Sequence, residues 1–381
     1  MGFLGQKRLM CLDIDDSFIV ARELTKRGGR IFLGRHSTVS NLGELVKDPS
    51  LKFKDIGVVI NASTQMVFFR NFAITAALSK LLKLKNKNSR EKELLTFIAR
   101  QNLPIKLDEC YWSMFILNDS LNLVGARKEI IERLIGTVES LGLRVVGVIP
   151  SVVSLYNAFI YTYPKIKNRF ALLNIRNSAS DMVVYEAKRL WINPISIGAH
   201  ALKQDESASD RFSLEIQRAF NSYYLQNNVK DKSALPFYLS GQDLFSSLAF
   251  SLKKVLGDVE LIEFEPFKNV VFPKDSKVNR QVSTLSLGLG ITYFRMAQAI
   301  NVNLIREKLL ALQRFNQIKF FKKISIPLMF VSALILLFVN ISLIKKVKEQ
   351  YLLYKKSRLF VSSMLPELKL LKSAKEKYQK P

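Results

Sequence analysis

The chain has 381 residues, which is enough for two or three globular domains of about 150 residues each. Its 58 Lys and Arg exceed its 32 Asp and Glu, and half of the net charge of +26 lies in residues 301–381, which carry 17 basic and 4 acidic side chains. This concentration favours a local basic segment over a basic domain that binds nucleic acid. With only Cys11, Cys110, His36 and His200, the chain cannot form a zinc site of Cys and His or a disulfide framework. Neither His has a Cys or Ser partner nearby in the sequence, so a nucleophilic triad is unsupported.

The first half of the chain alternates short strand patterns with helical patterns. The first three strands follow one another through short turns, and Gly28 and Gly29 lie in the second of these turns. Predicted strands cover residues 9–14, 18–24, 30–36, 56–60, 66–72, 111–117, 121–126 and 145–149. Predicted helices cover residues 41–47, 91–101, 127–141 and 151–159, and the basic run 80–90 is predicted to be a surface connection.

The second half opens in the same way, with three strand patterns joined by short turns. Predicted strands cover residues 170–175, 181–185, 190–196, 237–239 and 259–264, and predicted helices cover residues 211–225, 244–256 and 285–299. Two halves of this kind are typical of a duplicated actin-like domain, an α/β fold. In that fold the turns after strands one and two of each half are expected to face each other across a cleft, where a nucleotide binds.

An apolar segment follows at residues 324–344 (ISIPLMFVSALILLFVNISLI), which are 21 residues without an ionisable side chain. At about 1.5 Å per residue this helix spans about 30 Å, the thickness of the hydrocarbon core of a bilayer. Lysines lie on both sides of it, which disfavours a buried core helix and predicts one transmembrane helix. The residues before it show no apolar signal sequence, so the main domain is expected to stay in the cytoplasm.

The tail, residues 345–381, carries 11 basic residues and an apolar stripe spaced alternately by four and three residues. The stripe consists of Val347, Tyr351, Tyr354, Val361, Leu365 and Leu368, with Arg358 inside it. This spacing predicts a short helix that pairs with a partner helix and ends near Pro366. A basic helix that lies on anionic headgroups is an equal alternative.

Several segments of the chain resemble the pilus-assembly family PilM, actin-like relatives of the division protein FtsA. They are residues 12–24 (LDIDDSFIVAREL), 96–110 (TFIARQNLPIKLDEC), 124–159, 171–184 and 238–267. The resemblance implies an actin-like domain over residues 1–299, with a small inserted subdomain at about residues 90–148.

The segment Val302-Asn303-Leu304-Ile305 resembles the start of PilN, whose Ile-Asn-Leu-Leu motif docks into a groove on PilM; Arg306 stands where that family usually has Pro. The resemblance implies a docking motif and juxtamembrane segment at residues 300–323. The chain would then be a PilM-like protein fused to the N-terminal part of PilN, in a layout also similar to GspL of type II secretion. Docking in cis and docking on a neighbouring subunit, which would build chains or rings, are both open.

The alternative for this segment is a plain amphipathic juxtamembrane helix. Its apolar face would consist of Leu304, Leu309, Leu312 and Phe315.

The resemblance also places the turns of the nucleotide cleft. The family patterns Asp-Ile-Gly-Ser-Ser, Asp-x-Gly and Leu-Ser-Gly-Gly correspond here to Asp13-Ile14-Asp15-Asp16-Ser17, Asn174-Ile175-Arg176 and Leu239-Ser240-Gly241-Gln242. Gly198 keeps its family position, whereas the Gly that follows it in the family is Ala199. Each extra carboxylate in the first turn repels a polyphosphate by about 1 kcal/mol at 4 Å even in water.

Two hypotheses follow for the cleft. In the first, ATP with magnesium is held by Asp13, Ser17, Ser240 and Gly241, and Arg176 neutralises either phosphate or the aspartates. In the second, the cleft is degenerate and Arg176 pairs internally with Asp15 or Asp16. The losses in the phosphate turns favour the second hypothesis, so neither catalytic residues nor a metal site are expected.

The resemblance implies a structural scaffold of the inner-membrane assembly platform of a type IV pilus or a type II secretion system. The expected protein is a single-pass, homo-oligomeric component of the bacterial inner membrane that links a cytoplasmic assembly ATPase and a platform protein to PilO-like and PilN-like membrane partners. An ATP-binding or ATP-hydrolysing switch of the same machinery is the alternative. A division-type actin homologue is disfavoured by the spanning helix, and nucleic-acid binding by the absence of a recognition motif.

Overall fold

A computed structural model describes residues 7–49, 51, 53, 56–74, 90–118, 120–166, 168–186, 189–227, 235–241, 245–257, 259–272 and 283–378. The chain forms two compact units, Met1–Leu310 and Ala311–Pro381. The predicted surface connection at residues 80–90 lies, apart from Arg90, outside the described residues.

The first lobe of the larger unit is a five-stranded sheet of order β3-β2-β1-β4-β8. Its strands are β1 (Arg8–Ile14), β2 (Ile19–Arg27), β3 (Arg30–Val39), β4 (Gly57–Ala62) and β8 (Arg144–Pro150), and α1 (Leu42–Lys47) follows β3. The strands β1, β2 and β3 are antiparallel, as their short turns predict, whereas β4 and β8 run parallel to β1.

The second lobe repeats this order as β11-β10-β9-β12-β13. Its strands are β9 (Phe170–Ile175), β10 (Ser180–Glu186), β11 (Arg189–Ile195), β12 (Phe237–Gly241) and β13 (Leu261–Glu263). Its helices are α5 (Ala199–Gln204), α6 (Glu206–Asn227) and α7 (Phe245–Leu256). The same pairing pattern in both lobes confirms the predicted duplicated, actin-like α/β fold.

A smaller sheet of order β5-β7-β6 forms the inserted subdomain. Its elements are β5 (Val67–Ala73), α2 (Arg90–Asn102), β6 (Cys110–Leu117) and β7 (Ser120–Arg127), and α3 (Lys128–Glu139) leads from it to β8. The predicted range of about residues 90–148 leaves β5 outside the subdomain and includes most of β8. The strand β5 pairs with β7 along its whole length, while β8 pairs with β4 in the first lobe.

Two helices, α4 (Ser151–Thr162) and α8 (Thr284–Tyr293), pack tightly against each other in the main core. A Cβ on Gly288 would lie 1.9 Å from the carbonyl oxygen of Ser154, so α8 can approach α4 only because residue 288 is glycine. The helix predicted over residues 285–299 ends at Tyr293 instead. Arg295 has a φ of 50°, a left-handed conformation that a helix does not accommodate.

The last helix, α9, covers Arg306–Tyr378 and includes Pro327 and Pro366. The predicted end near Pro366 is wrong, because a proline removes one backbone donor and kinks a helix without having to end it. The stretch Pro327–Lys375 contains an 18-residue window with a mean hydropathy of 2.4 that is not buried in the structure. By length and composition, α9 can therefore cross a membrane once.

Candidate functional site

The turn between β1 and β2 brings two carboxylates into the cleft between the lobes. Asp13 and Asp15 are buried, with 5% and 9% of their surface exposed. The backbone N–H of Asp15 donates to the carbonyl oxygen of Phe18 at 3.0 Å and closes the turn. Asp16 and Ser17 are exposed, so the Ser17 hydroxyl does not share the buried position of Asp13.

Asp13 is held from both sides of the cleft. Its Oδ1 lies 3.1 Å from Asn61 Nδ2 and 3.4 Å from Arg176 Nη2, and its Oδ2 accepts a hydrogen bond from the Ser283 hydroxyl. Burial raises the pKa of Asp13, and the charge of Arg176 and the bond from Ser283 oppose that rise. The sequence predicted Asp13 but missed Asn61 and Ser283. The polar residue at the end of the apolar β4 and the cap position before α8 are the signals that point to them.

The turn between β9 and β10 reaches across to the first lobe. Arg176, 7% exposed, donates from Nη2 to the carbonyl oxygen of Ile14 at 2.7 Å, and its Nε lies 3.8 Å from Asp15 Oδ2. In the same turn the Asn177 N–H donates to Asp15 Oδ2 at 2.9 Å, and the Ser178 hydroxyl donates to Asp15 Oδ1 at 2.5 Å. The two turns that flank the cleft are thus bonded directly to each other.

Arg176 lies among carboxylates and keeps its charge. Burial by itself disfavours the guanidinium charge, but Asp13, Asp181 and Asp15 outweigh it and raise the pKa of Arg176. Asp181, 3% exposed, also has a raised pKa, because burial outweighs the attraction of Arg176. The internal pairing of Arg176 that the sequence offered as an alternative is present, with Asp13 and Asp15 rather than Asp16 as partners.

The third turn, at the end of β12, also makes internal contacts. The Ser240 hydroxyl donates to Asn174 Oδ1 at 2.9 Å and shares a 2.7 Å hydrogen bond with the Thr284 hydroxyl. Gly241 has a φ of 120°, and a Cβ there would lie 2.1 Å from the carbonyl oxygen of Ile175. Gly241 is therefore required by the close approach of β12 to β9. Gln242 lies outside the described residues.

Residues at the start of α8 contact the predicted cleft residues. Ser283 contacts Asp13, and the adjacent Thr284 contacts Ser240. Asp13, Ser240 and Gly241 therefore converge on one place, while Ser17 lies at the surface. All four carboxylate oxygens of Asp13 and Asp15 accept hydrogen bonds from protein donors. A magnesium-bound polyphosphate needs carboxylate oxygens free to hold the metal ion or its waters, and backbone N–H groups that face the phosphates.

The docking segment, Val302–Ile305, lies along β8, the edge strand of the first lobe. The Leu304 N–H donates to the carbonyl oxygen of Val148 at 2.9 Å. The Asn303 side-chain oxygen accepts from the Val148 N–H at 3.1 Å, and its amide nitrogen donates to the carbonyl oxygen of Val146 at 3.3 Å. The Asn303 side chain thus pairs with β8 as the backbone of a neighbouring strand would.

The apolar side chains of the docking segment belong to the main core. Val302, Leu304 and Ile305 are 0%, 2% and 1% exposed. Gly147 leaves room for the segment, since a Cβ there would lie 3.3 Å from Asn303 Nδ2. The four predicted docking residues are therefore brought together, and they contact their own chain. Of the four residues of the alternative juxtamembrane helix, Leu309, Leu312 and Phe315 lie in α9. Leu304 does not, because α9 begins only at Arg306.

The first turn of α9 contacts α3 as well. Lys308 Nζ lies 2.8 Å and 2.6 Å from the two carboxylate oxygens of Glu132, which also accepts a hydrogen bond from the Tyr111 hydroxyl. Burial opposes the charge of Glu132, but the bonds from Lys308 and Tyr111 outweigh it and lower its pKa. The beginning of α9 is thus bonded both to the first lobe and to α3.

No protein-family model matches this sequence, and a comparison with curated proteins finds no match. Among solved structures, a chain of a "PilM-PilN type IV pilus biogenesis complex" aligns with a TM-score of 0.58 at 15% identity, over 76% of this chain and 98% of that chain. The cytoplasmic domain of EpsL, an inner-membrane component of the type II secretion system of Vibrio cholerae, aligns with a TM-score of 0.43 at 10% identity, over 78% of this chain and 98% of that one. This chain therefore has the same fold as the PilM-PilN structure, which confirms the predicted PilM-like, actin-like fold.

Proposed function

We propose that this protein is a structural scaffold of the inner-membrane assembly platform of a type IV pilus or a type II secretion system. The observation that carries the proposal is the docking segment, which lies in the first lobe and leads directly into α9 at Arg306. A PilM-like fold and a helix able to cross a membrane are thereby joined in one chain. The main domain would lie in the cytoplasm and α9 would anchor it in the inner membrane.

In this proposal the buried docking segment transmits displacement between the cytoplasmic body and the membrane. Val302, Leu304 and Ile305 are part of the core, and the bonds of Asn303 and Lys308 fix the start of α9. A force applied to the body by a cytoplasmic assembly ATPase would therefore reach the first turn of α9 through these contacts. PilO-like and PilN-like membrane proteins and a platform protein would contact α9, and the subunits would assemble as homo-oligomers.

A genetic test can decide the scaffold role. In the host bacterium, deletion of the gene is expected to abolish pilus assembly or type II secretion, and the full-length chain should restore it. A double variant, Asn303→Ala with Leu304→Ala, should reach the membrane fraction and fail to restore assembly. The exposed Asn301→Ala is the matched control and should complement fully. Unchanged piliation and secretion in the deletion strain would show that the proposed role is wrong.

We also propose that the cleft neither binds nor hydrolyses ATP. Phosphates would have to displace Arg176 from Asp13 and the Ile14 carbonyl, and would then face the uncompensated carboxylates of Asp13, Asp15 and Asp181. A fluorescent ATP analogue added to the full-length protein in detergent is expected to show no saturable binding. Saturable micromolar binding that Asp13→Ala abolishes, and that the exposed Asp16→Ala leaves intact, would favour the alternative of an ATP-dependent switch.

A further inference from the structure

We infer that Arg176 acts as a built-in cation that holds the two lobes together, so that the cleft stays closed without a bound ligand. The relevant group, here named the interlobe contact, consists of Asp13 and Asp15 of the first lobe and Arg176, Asn177 and Ser178 of the second. The interlobe contact would hold the lobes together whether or not the protein belongs to an assembly platform.

The interlobe contact is bonded in both directions across the cleft. The guanidinium of Arg176 enters the first lobe and reaches the carbonyl oxygen of Ile14 at 2.7 Å and Asp13 Oδ1 at 3.4 Å. In the opposite direction, the Asp15 carboxylate reaches the second lobe and accepts the Asn177 N–H at 2.9 Å and the Ser178 hydroxyl. Because each lobe places a charged group inside the other, separating the lobes would break both sets of bonds at once.

Arg176 is the central residue of the interlobe contact because of its positive charge. Three carboxylates, those of Asp13, Asp15 and Asp181, are each 9% exposed or less, and the guanidinium of Arg176 attracts all three. Without that cation, three like charges would share a buried site, which strongly disfavours their ionised forms. The turns would then have to separate, admit water or take up protons.

The shape of the guanidinium matters as well as its charge. Its planar fork donates to a carbonyl oxygen and lies beside two carboxylates at the same time, which the single ammonium of a lysine reproduces poorly. Replacement of Arg176 by alanine would remove that group and leave the surrounding acceptors in place. A free guanidinium ion carries the same charge and the same planar fork, and is therefore the expected ligand of the vacated space.

The test is chemical rescue of the full-length protein in detergent. Arg176→Ala is expected to lower the Tm by on the order of 10 °C, because it breaks a buried ion pair and leaves one side unpaired. Millimolar guanidinium chloride, far below the molar concentrations that unfold proteins, should recover at least half of that loss, and equal sodium chloride should not. Arg176→Lys should be destabilised like the alanine variant. Arg133→Ala, at an exposed ion pair on α3, is the matched control and should not respond to guanidinium.

Three results would overturn the inference: an unchanged Tm in Arg176→Ala, a loss that guanidinium restores no better than sodium chloride, or an equal response of Arg133→Ala. If Arg176→Ala fails to fold, Arg176→Gln and Asp15→Asn are measured by amide hydrogen exchange instead. Both should exchange at least tenfold faster over the turn residues 15–18 and 176–179, whereas the amides of β1 and β9 should keep their protection. Unchanged exchange in those turns would equally show that the contact does not hold the lobes.

Discussion

Replacing Asn303 by alanine removes the side chain that completes the β8 edge. The Asn303 oxygen accepts the N–H groups of Val148 at 3.1 Å and Ile305 at 3.2 Å, both in residues that are no more than 1% exposed. A buried donor left without a partner costs about 1–3 kcal/mol. The third bond, to the Val146 carbonyl at 3.3 Å, is long and adds little. The two lost acceptor bonds therefore predict a cost of about 2–6 kcal/mol for keeping the segment docked.

Because each 1.4 kcal/mol is a factor of ten, this cost should raise the population of undocked segment by at least roughly 30-fold, and by up to about 20,000-fold at the upper limit. The assay is hydrogen exchange, followed by mass spectrometry, on peptides that cover residues 144–150 and 300–309 of the full-length protein. The amides of both peptides should exchange faster by that factor, and trypsin should cleave at Arg306 and Lys308 sooner. Asn301→Ala is the control, since an exposed substitution is expected to change stability by less than about 0.5 kcal/mol.

Exchange in Asn303→Ala that stays within threefold of the wild-type rate would refute the reasoning. Faster exchange confined to residues 300–309, with residues 144–150 unchanged, would also contradict it, because the two strands would then not depend on each other.

Three further predictions concern single contacts. In thermal melting, Gly241→Ala should lower the Tm by more than 10 °C, because its Cβ would lie 2.1 Å from the carbonyl oxygen of Ile175. The control is Gly136→Ala on α3, which should be neutral or slightly stabilising because nothing lies within 4 Å of its Cβ. Gly147→Ala should lower the Tm by only a few degrees, because its Cβ would lie 3.3 Å from Asn303 Nδ2 and a small shift of that side chain relieves the contact. The same shift weakens the bonds of Asn303, so the amide hydrogens of the docking segment should exchange faster. The pKa of Glu132 is lowered in the folded protein, so ionised Glu132 contributes to the free energy of unfolding. This contribution is present above the usual glutamate pKa and is lost as the pH falls through the lowered pKa. In denaturant titrations, Glu132→Gln should abolish this loss of stability at low pH. At neutral pH the substitution should cost less than about 1 kcal/mol, because the ion pair of Glu132 with Lys308 is half-exposed.

Local patterns were sufficient for much of the fold. Short turns between alternating strands predicted both three-stranded runs, and the uncharged stretch in residues 324–344 predicted the apolar part of α9. The docking residues and the internal pairing of Arg176 could also be predicted, because the docking residues match a family motif and Arg176 replaces a family glycine at a definite position. The residues involved could be identified from short stretches of sequence, although Arg176 and Asp13 lie far apart in the chain.

Features that depend on contacts between distant parts of the chain could not be predicted from the sequence. The boundary of the small subdomain depends on β5 pairing with β7, and nothing in residues 67–73 distinguishes that partner from the neighbouring β4. Asn61 and Ser283 become partners of Asp13 only when β4 and α8 meet beside β1. The docking of Val302–Ile305 on its own chain depends on the left-handed Arg295, which ends α8 and lets the chain return along β8.

The Asn303 side chain on the edge of β8 also has a consequence for biosynthesis. During translation, β8 leaves the ribosome long before residue 303 does, so the nascent first lobe exposes an unpaired strand edge for most of the synthesis of the body. Such edges are templates for pairing with other chains. The residue that covers the edge emerges shortly before the apolar part of α9. Completion of the first lobe and exposure of the apolar part of α9 are therefore expected to fall within the same short interval, and a chaperone bound to the nascent chain would protect both surfaces together.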